Sequence, residues 1–360
     1  VTVTVHATST YTSPPHVETV TIEKAITSQP EPIVFSLIMW SRNSAVEGAL
    51  LIKTILMYTT SPTEFHIICD PSARELLEHR FSLLTNPRHP IKVRFYQPSL
   101  QDMKDRISRE GSIRSDHASG LPGLMKLFIH EILPSSVTKS IYIDTDAFFI
   151  SDPTFLWNVF SQLKPTTAIV MSYHPDENSP MWNYASRICS CVMLLNLEKL
   201  RELRLMDSSV YKEVKDGSFP EALSPPTFRA MYGEPGPKGY ENVKLGDQGY
   251  WWAIVDNRPD IFEPLSFDFE VTSCLMDTYS ITLGEDSSTE EIELSRQSHT
   301  KGTPQEGILI RPKLLHFNCL FGVDVYMNWE GWLDPTKSVT RRWGPAMFYH
   351  HGYKWIWLNQ

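Results

Sequence analysis

The chain has 360 residues, 41% of them hydrophobic and 21% charged, with ten tryptophans. That mixture is globular, of a size for one large α/β domain or two smaller ones, and it excludes bulk disorder and a collagen-like repeat. With 33 Lys and Arg against 42 Asp and Glu, the net charge of −9 argues against a surface built for a naked phosphate polymer, so nucleic acid is not expected as the main partner.

Residues 1–32 are rich in Thr, Ser, Val and Pro and read as a stalk or linker in preference to an edge strand. The pattern changes at Ile33, and residues 33–360 read as a single domain. Ile33–Trp40 is a near-continuous apolar run of strand length, Ala45–Tyr58 is helical in spacing, Phe65–Cys69 is a strand, Ala73–Leu84 a helix and Ile91–Phe95 a strand. Strand, helix, strand, helix, strand in that order predicts parallel pairing through crossovers, and continuous hydrophobicity predicts a sheet covered on both faces. Gly123–Leu133 reads as a helix stopped by Pro134, and Ser140–Asp144 as a strand ending in carboxylates. Pro153–Gln162 is expected to be helical, Thr167–Ser172 and Cys191–Asn196 to be strands, and Leu197–Leu205 a helix. Asp216–Gly239 and Glu285–Gly307 read as long loops.

No window of about 18 apolar residues is uninterrupted. The chain begins at Val1, and a leader or membrane anchor ahead of it is expected. The five cysteines, Cys69, Cys189, Cys191, Cys274 and Cys319, are too few and too scattered for a disulfide framework or a zinc ribbon, and at least one must be unpaired within the chain.

Asp144-Thr145-Asp146 sits between Ile141-Tyr142-Ile143 and Ala147-Phe148-Phe149-Ile150. A D-x-D alone is weak, but two carboxylates at the end of a buried strand stand where open α/β sheets put their ligands, in apolar flanks that make unpaired charge costly. A hard divalent cation, Mn²⁺ or Mg²⁺, would resolve that conflict and keep open positions for a diphosphate. The competing reading is that one aspartate caps a helix and the other meets a basic residue. His316, in Leu314-Leu315-His316-Phe317-Asn318, is the third ligand candidate, with His350 or His351 as runner-up; the competing reading is a satisfied core histidine. Gly246-Asp247-Gln248-Gly249 opens an apolar segment. Asp247 is either an ordinary helix cap or, with Gln248, a group that faces a sugar. Trp329, Trp332, Trp343, Trp355 and Trp357 crowd the C-terminal segment and read more readily as core anchors than as sugar platforms.

Four ordered segments now resemble glycosyltransferase family 8, nucleotide-sugar enzymes of GT-A fold: IVFSLIMWSRNSAVEGALLIKTIL ending in FHIICD; GLMKLFIHEILP followed by SIYIDTDAFFISDPTFLW; SCVMLLNLEKL with GDQGYWWAI; and LLHFN. LMKLFIHEILP is similar to the xylosyltransferase domain of the matriglycan-building enzyme, and GDQG to the corresponding glycogenin motif. The resemblance implies an α/β fold, a Rossmann-like mixed sheet flanked by helices on both faces, with a nucleotide-binding half over about 33–150 and an acceptor half over about 151–360. It implies a retaining transferase that moves hexose or xylose from a UDP-sugar to a hydroxyl on a glycan, glycolipid or glycoprotein. Asp144, Asp146 and His316 would hold Mn²⁺ (or Mg²⁺), and Thr145 lies between the two acids at the donor. Lys126 would neutralise phosphate or hold the sugar, Asp247 and Gln248 would act at the donor sugar, and Met39, Trp40, Ser41 and Asn43 would cradle uridine. The resemblance also implies a Golgi or secretory location as a type II membrane protein, with the anchor outside this chain.

Two departures from the family pattern stand out. Cys189-Ser190-Cys191 replaces Asn-Ser-Gly, so a polar contact to the sugar is replaced by a thiol, while Ser190 keeps its place at the donor. The lysine expected shortly after His316 is missing, with Arg341, Arg342 and Lys354 as candidate substitutes. Rival readings are a catalytically silent carbohydrate-binding protein on the same fold and a metal-dependent nucleotidyltransferase on a related one; the latter is disfavoured because no Gly-rich triphosphate loop follows the first strand.

Overall fold

The computed structural model describes residues 17–22, 31–177, 184–208, 224–240, 243–279, 290–320 and 322–359. Eleven strands, β1 (Val17–Ile22), β2 (Ile33–Met39), β3 (Thr63–Cys69), β4 (Ile91–Tyr96), β5 (Lys139–Ile143), β6 (Ala147–Phe149), β7 (Ile169–Tyr173), β8 (Ile188–Asn196), β9 (Phe262–Pro264), β10 (Val271–Thr272) and β11 (Leu314–His316), form two sheets among the described residues. The large sheet runs β1-β4-β3-β2-β5-β8-β7-β9 and the small one β10-β11-β6. Strands β2, β3 and β4 pair in parallel, and β5 joins β2 in parallel. β8 then lies antiparallel to both β5 and β7, which makes the sheet mixed.

The helices are α1 (Arg42–Tyr58), α2 (Pro71–Phe81), α3 (Leu100–Ile107), α4 (Gly120–Leu124), α5 (Ile129–Ile132), α6 (Thr154–Trp157), α7 (Leu197–Glu202), α8 (Pro225–Tyr232), α9 (Asp247–Asn257), α10 (Glu290–Arg296) and α11 (Ser338–Gly352). β2 shows why its sequence is a continuous apolar run. Ile33, Phe35, Leu37 and Met39 pack on one side with α1 and α2, while Ile38 packs on the other. Phe35 is fully buried, 5.4 Å from the Phe65 ring and 6.5 Å from that of Phe149, a burial worth roughly 2–3 kcal/mol. α1 starts at a capping box in which Ser41 and Ser44 satisfy each other's backbone N–H groups, which removes two orphan donors of the first turn.

The small sheet carries His316 to the end of β5. Thr54 of α1 accepts a hydrogen bond from the Phe149 backbone at 3.1 Å, and Lys53 donates to the Tyr353 carbonyl at 2.6 Å, clamping the end of α11.

Several expectations change. Six residues of the segment read as a stalk, Val17–Ile22, pair antiparallel with β4; their Thr and Val content suits an edge strand as well as a linker. The helix expected over Gly123–Leu133 is two short α-helices joined by a 3₁₀ turn at Met125–Phe128, a tightening that turns Lys126 into the interior. Within the two stretches read as loops lie α8, whose two prolines occupy the first turn where no N–H is needed, and α10; residues 216–223 and 285–289 are outside the described residues. Cys274 and Cys319 form a disulfide, while Cys69, Cys189 and Cys191 are free. No helix among the described residues is long and apolar enough to cross a membrane.

Candidate active site

β5 ends at Ile143, and Asp144-Thr145-Asp146 forms the passage from the large sheet to β6 of the small one. Two backbone bonds fix that passage: the Asp144 N–H donates to the Cys191 carbonyl at 2.7 Å, and the Phe317 N–H donates to the Asp146 carbonyl at 2.8 Å. Since His316 pairs with Ala147 across β6 and β11, residues 170 positions apart in sequence meet. Asp146 Oδ1 lies 3.4 Å from His316 Nε2, and one ligand atom from each of Asp144, Asp146 and His316 falls within 4.8 Å of the others. Two carboxylates and an imidazole in that space are a fitting donor set for a hard divalent cation.

On one side of this point is a buried cation. Lys126 Nζ lies 2.8 Å from Asp144 Oδ1, 3.4 Å from Asp247 Oδ2 and 5.0 Å from the Tyr142 ring centre. The Tyr142 hydroxyl donates to Asp144 Oδ1 at 2.6 Å, and Ser190 donates to Asp247 Oδ2 at 2.8 Å. Burial opposes the Lys126 charge, but Asp144 and Asp247 outweigh it and hold its pKa well above the ordinary value. For Asp247, burial is the largest influence and pushes the carboxyl up to about 6 despite Lys126.

On the other side, His316 Nδ1 lies 3.5 Å from Glu270 Oε1, and His174 Nε2 lies 3.3 Å from Glu270 Oε2. Burial acts to lower His316, but Asp146 reverses it and raises the ring well above its usual value; burial would raise Asp146, and His316 holds it down instead. Burial likewise acts against the Glu270 anion, and His174 with His316 overturns it, leaving that carboxyl far below the usual range.

The GDQG motif is explained by space. Gly246 has φ of +62°, and a Cβ on Gly249 would run into the backbone of Lys244, whose nitrogen would be 2.8 Å away. The N-cap of α9 is Gly246, which has no side chain to cap with; Asp247, the first helical residue, turns its carboxylate to Ser190 and Lys126. The Gln248 amide donates to the Ala185 carbonyl at 2.9 Å. Ser41 spends its hydroxyl on the α1 cap, Asn43 is exposed in the first turn, and Trp40 is half-buried against the large-sheet core. Met39 is fully buried beneath Gly48 of α1, so it is closed to a ligand, contrary to its sequence reading. Thr145 donates to Glu47 Oε2 at 3.3 Å.

The runner-up ligand His350 has both ring nitrogens occupied, by the Tyr58 hydroxyl and the Ala346 carbonyl, each at 2.6 Å, and His351 is exposed at the end of α11. Arg341 donates to the carbonyls of Pro335 and Thr336, Arg342 to that of Tyr279, and Lys354 lies over the Trp357 ring; none of these contacts reaches the acid pair. Trp332, Trp343 and Trp355 are buried, Trp329 is half-buried, and Trp357 is exposed.

Sequence reasoning missed Glu47, Glu270, His174 and Tyr326. Burial, joined by the charges of Asp146 and Asp144, pushes the Glu47 carboxyl up to about 7 against an opposing 2.9 Å bond from the Tyr326 N–H. A charge between Phe269 and Val271 was the available signal for Glu270; Glu47, a single acid between Val46 and Gly48 early in α1, reads as an ordinary solvated helix charge and gave none.

Mouse xyloside xylosyltransferase 1 in its apo form superposes with a TM-score of 0.53 at 17% identity, over 81% of this chain and all of that one. The galactosyltransferase LgtC, in complex with donor and acceptor sugar analogs, gives 0.50 at 12% identity over 88% and 95%. The fold is that of the GT-A glycosyltransferases. In sequence, the chain of GT-A fold is 32% identical over 169 residues to the Homo sapiens xylosyl- and glucuronyltransferase LARGE2, over 44% of this chain and 22% of that one. It thus spans under a quarter of the length of that relative. No protein-family model matches it.

Proposed function

We propose that the protein is a retaining glycosyltransferase that moves a sugar from a UDP-sugar to a hydroxyl acceptor, with Asp144, Asp146 and His316 as ligands of Mn²⁺ or Mg²⁺. The observation that carries this reading is the convergence of those three side chains within 4.8 Å at the end of β5, on the fold of known glycosyltransferases and in a chain related to xylosyl- and glucuronyltransferases. A hard cation bound there would act as a Lewis acid toward the departing diphosphate.

The chain's own groups then divide the work. Lys126, fixed between Asp144 and Asp247, adds positive charge where negative charge develops on the leaving UDP. Ser190 holds Asp247, which accepts from a donor-sugar hydroxyl, and Gln248 borders the same sugar. Trp40, Ser41, Thr145 and Asn43 border the nucleotide, within a nucleotide-binding half over about 33–150, and residues 151–360 supply the acceptor half. A double displacement would require a free carboxylate nucleophile. Asp247 is 4% exposed and engaged by Ser190 and Lys126, which favours attack from the departing face, the phosphate oxygen taking the acceptor's proton. A glycan, glycolipid or glycoprotein acceptor in the Golgi or secretory lumen belongs to the same proposal, and the Cys274–Cys319 disulfide supports an oxidising compartment.

Incubation with UDP-xylose, UDP-glucose and UDP-galactose, with and without Mn²⁺, tests the reading. UDP release from at least one donor is expected only with the metal, and Asp146→Asn is expected to lower it by about 10²–10³-fold. Absence of both UDP release and UDP binding in calorimetry sinks it. A second reading, a silent carbohydrate-binding protein, rests on the absence of a lysine shortly after His316, which is followed by Phe317-Asn318-Cys319-Leu320; it predicts glycan binding without nucleotide binding.

A further inference from the structure

Cys189, Ser190 and Cys191 lie on β8 just where it runs past the end of β5, whose last pair is Ile143 with Val192. Strand alternation sends Ser190 toward Lys126 and Asp247, and both cysteines toward the opposite face. The pairing of β7 with β8 is irregular between Val170 and Ser172, and Cys191 and Val192 consequently pack on the same side. There, one ligand atom each of Cys189, Cys191, Glu270 and His316 lies within 4.8 Å of the others.

Two of these groups are incompletely satisfied. Glu270 is 1% exposed and His316 3% exposed; Glu270 Oε2, although 3.3 Å from His174 Nε2, and His316 Nδ1, although 3.5 Å from Glu270 Oε1, make no hydrogen bond. Buried polar atoms in that state need a partner. The spacings fit a shared tetrahedral ion. Zinc bond lengths of about 2.3 Å to sulfur and about 2.0 Å to nitrogen or oxygen give ligand-to-ligand edges of about 3.5 Å for S···O and about 3.3 Å for N···O. Cys191 Sγ, whose thiol donates to Glu270 Oε1, lies 3.6 Å from that oxygen, and His316 Nδ1 lies 3.5 Å from it.

We propose that Cys189, Cys191, Glu270 and His316 Nδ1 form a second metal site, for a thiolate-preferring divalent cation with Zn²⁺ as the best match, behind the carboxylate site. Both thiols lose their protons to solvent on binding. The two sites share one ring. A neutral imidazole bound through Nδ1 keeps its proton on Nε2 and donates it toward Asp146; bound through Nε2, it donates Nδ1–H toward Glu270. Only this sharing rests on the function proposed above, since the cysteines take no part in the carboxylate set.

The test uses the full chain, reduced and loaded with Zn²⁺ or Co²⁺, with unbound metal removed. About one equivalent of Zn²⁺ retained per chain is expected, and the Co²⁺ form should show thiolate-to-cobalt charge-transfer absorption with tetrahedral d–d bands. Cys189→Ser and Cys191→Ser should each weaken the charge-transfer band, with circular dichroism verifying the fold; Cys189 is the less buried and the safer substitution. Asp146→Asn should keep the band while losing Mn²⁺-dependent UDP release, so failure of either reading is seen separately. A reduced wild-type protein with no cobalt–thiolate band, an unchanged band in both cysteine variants, or a Cys189–Cys191 disulfide whose reduced form takes up no Zn²⁺ overturns the proposal.

Discussion

The two sides of the Asp144–Asp146 passage are built on opposite principles. Around Lys126, each charge has an opposite neighbour: one ammonium meets Asp144 and Asp247, and Tyr142 and Ser190 supply the remaining bonds. Around His316, the Cys191 thiol donates to Glu270 Oε1, but Glu270 Oε2 and His316 Nδ1 approach their neighbours without completing a hydrogen bond. Both regions are buried in the same protein, so desolvation alone does not separate them. The lesson is that the Lys126 side is finished by protein atoms, whereas the His316 side has donor atoms left over, and left-over donors are what a bound ion requires.

Removing the central cation breaks the comparison most severely. Lys126→Met keeps the length of the stem but leaves Asp144 and Asp247 facing each other, and breaking a buried pair in this way is expected to cost about 3–5 kcal/mol. Urea unfolding measures the loss, and added Mn²⁺ should restore part of it by taking over the neutralisation of Asp144. A variant as stable as the wild type would mean that the Lys126 side is not held together by charge.

A smaller effect, of opposite sign, is expected at Asp247. Its pKa in the folded protein is about 6 against an ordinary 3.8, so the folded state holds this proton more tightly than the unfolded chain does. The stability this provides is complete below about pH 4 and is lost as pH rises to about 6. Asp247→Asn, with no proton to lose, should flatten that part of the stability curve and raise stability at neutral pH by up to about 3 kcal/mol, while donor use falls. An unchanged pH profile would place the Asp247 charge in a more polar setting than its contacts indicate.

How much of this was legible depended on the reach of each signal. The parallel β2, β3 and β4 run could be read because each strand and its crossover is local in sequence. The D-T-D was visible for the same reason, as carboxylates ending an apolar strand. His316 was legible as a candidate third ligand only because a carboxylate pair already called for one. Glu270 reaches the site through β10, a strand of two residues, too short for any periodicity. Glu47 reaches it from the first turns of α1, whose pattern speaks for packing alone. The Cys-Ser-Cys motif was visible, but its meaning required knowing that the alternation of β8 divides Ser190 from its neighbours. The Cys274–Cys319 pair was illegible in another way: five scattered cysteines do not reveal that β10 and β11 are adjacent and bring two of them to a Cα separation of 5.4 Å.

The finest distinction is at Gln248, which stands next to Asp247 yet outside the charge network. Its amide donates to the Ala185 carbonyl, a neutral bond whose loss in Gln248→Ala should cost only about 1 kcal/mol of stability. If the amide merely ties α9 to the segment before β8, turnover should fall no further than that small loss implies, and KM for the donor should stay put. If it also borders the donor sugar, kcat should drop disproportionately while UDP affinity and unfolding barely move. A kcat-against-KM comparison at saturating metal therefore decides whether the polar face of α9 belongs only to the scaffold of the Lys126 side or also to the proposed sugar site.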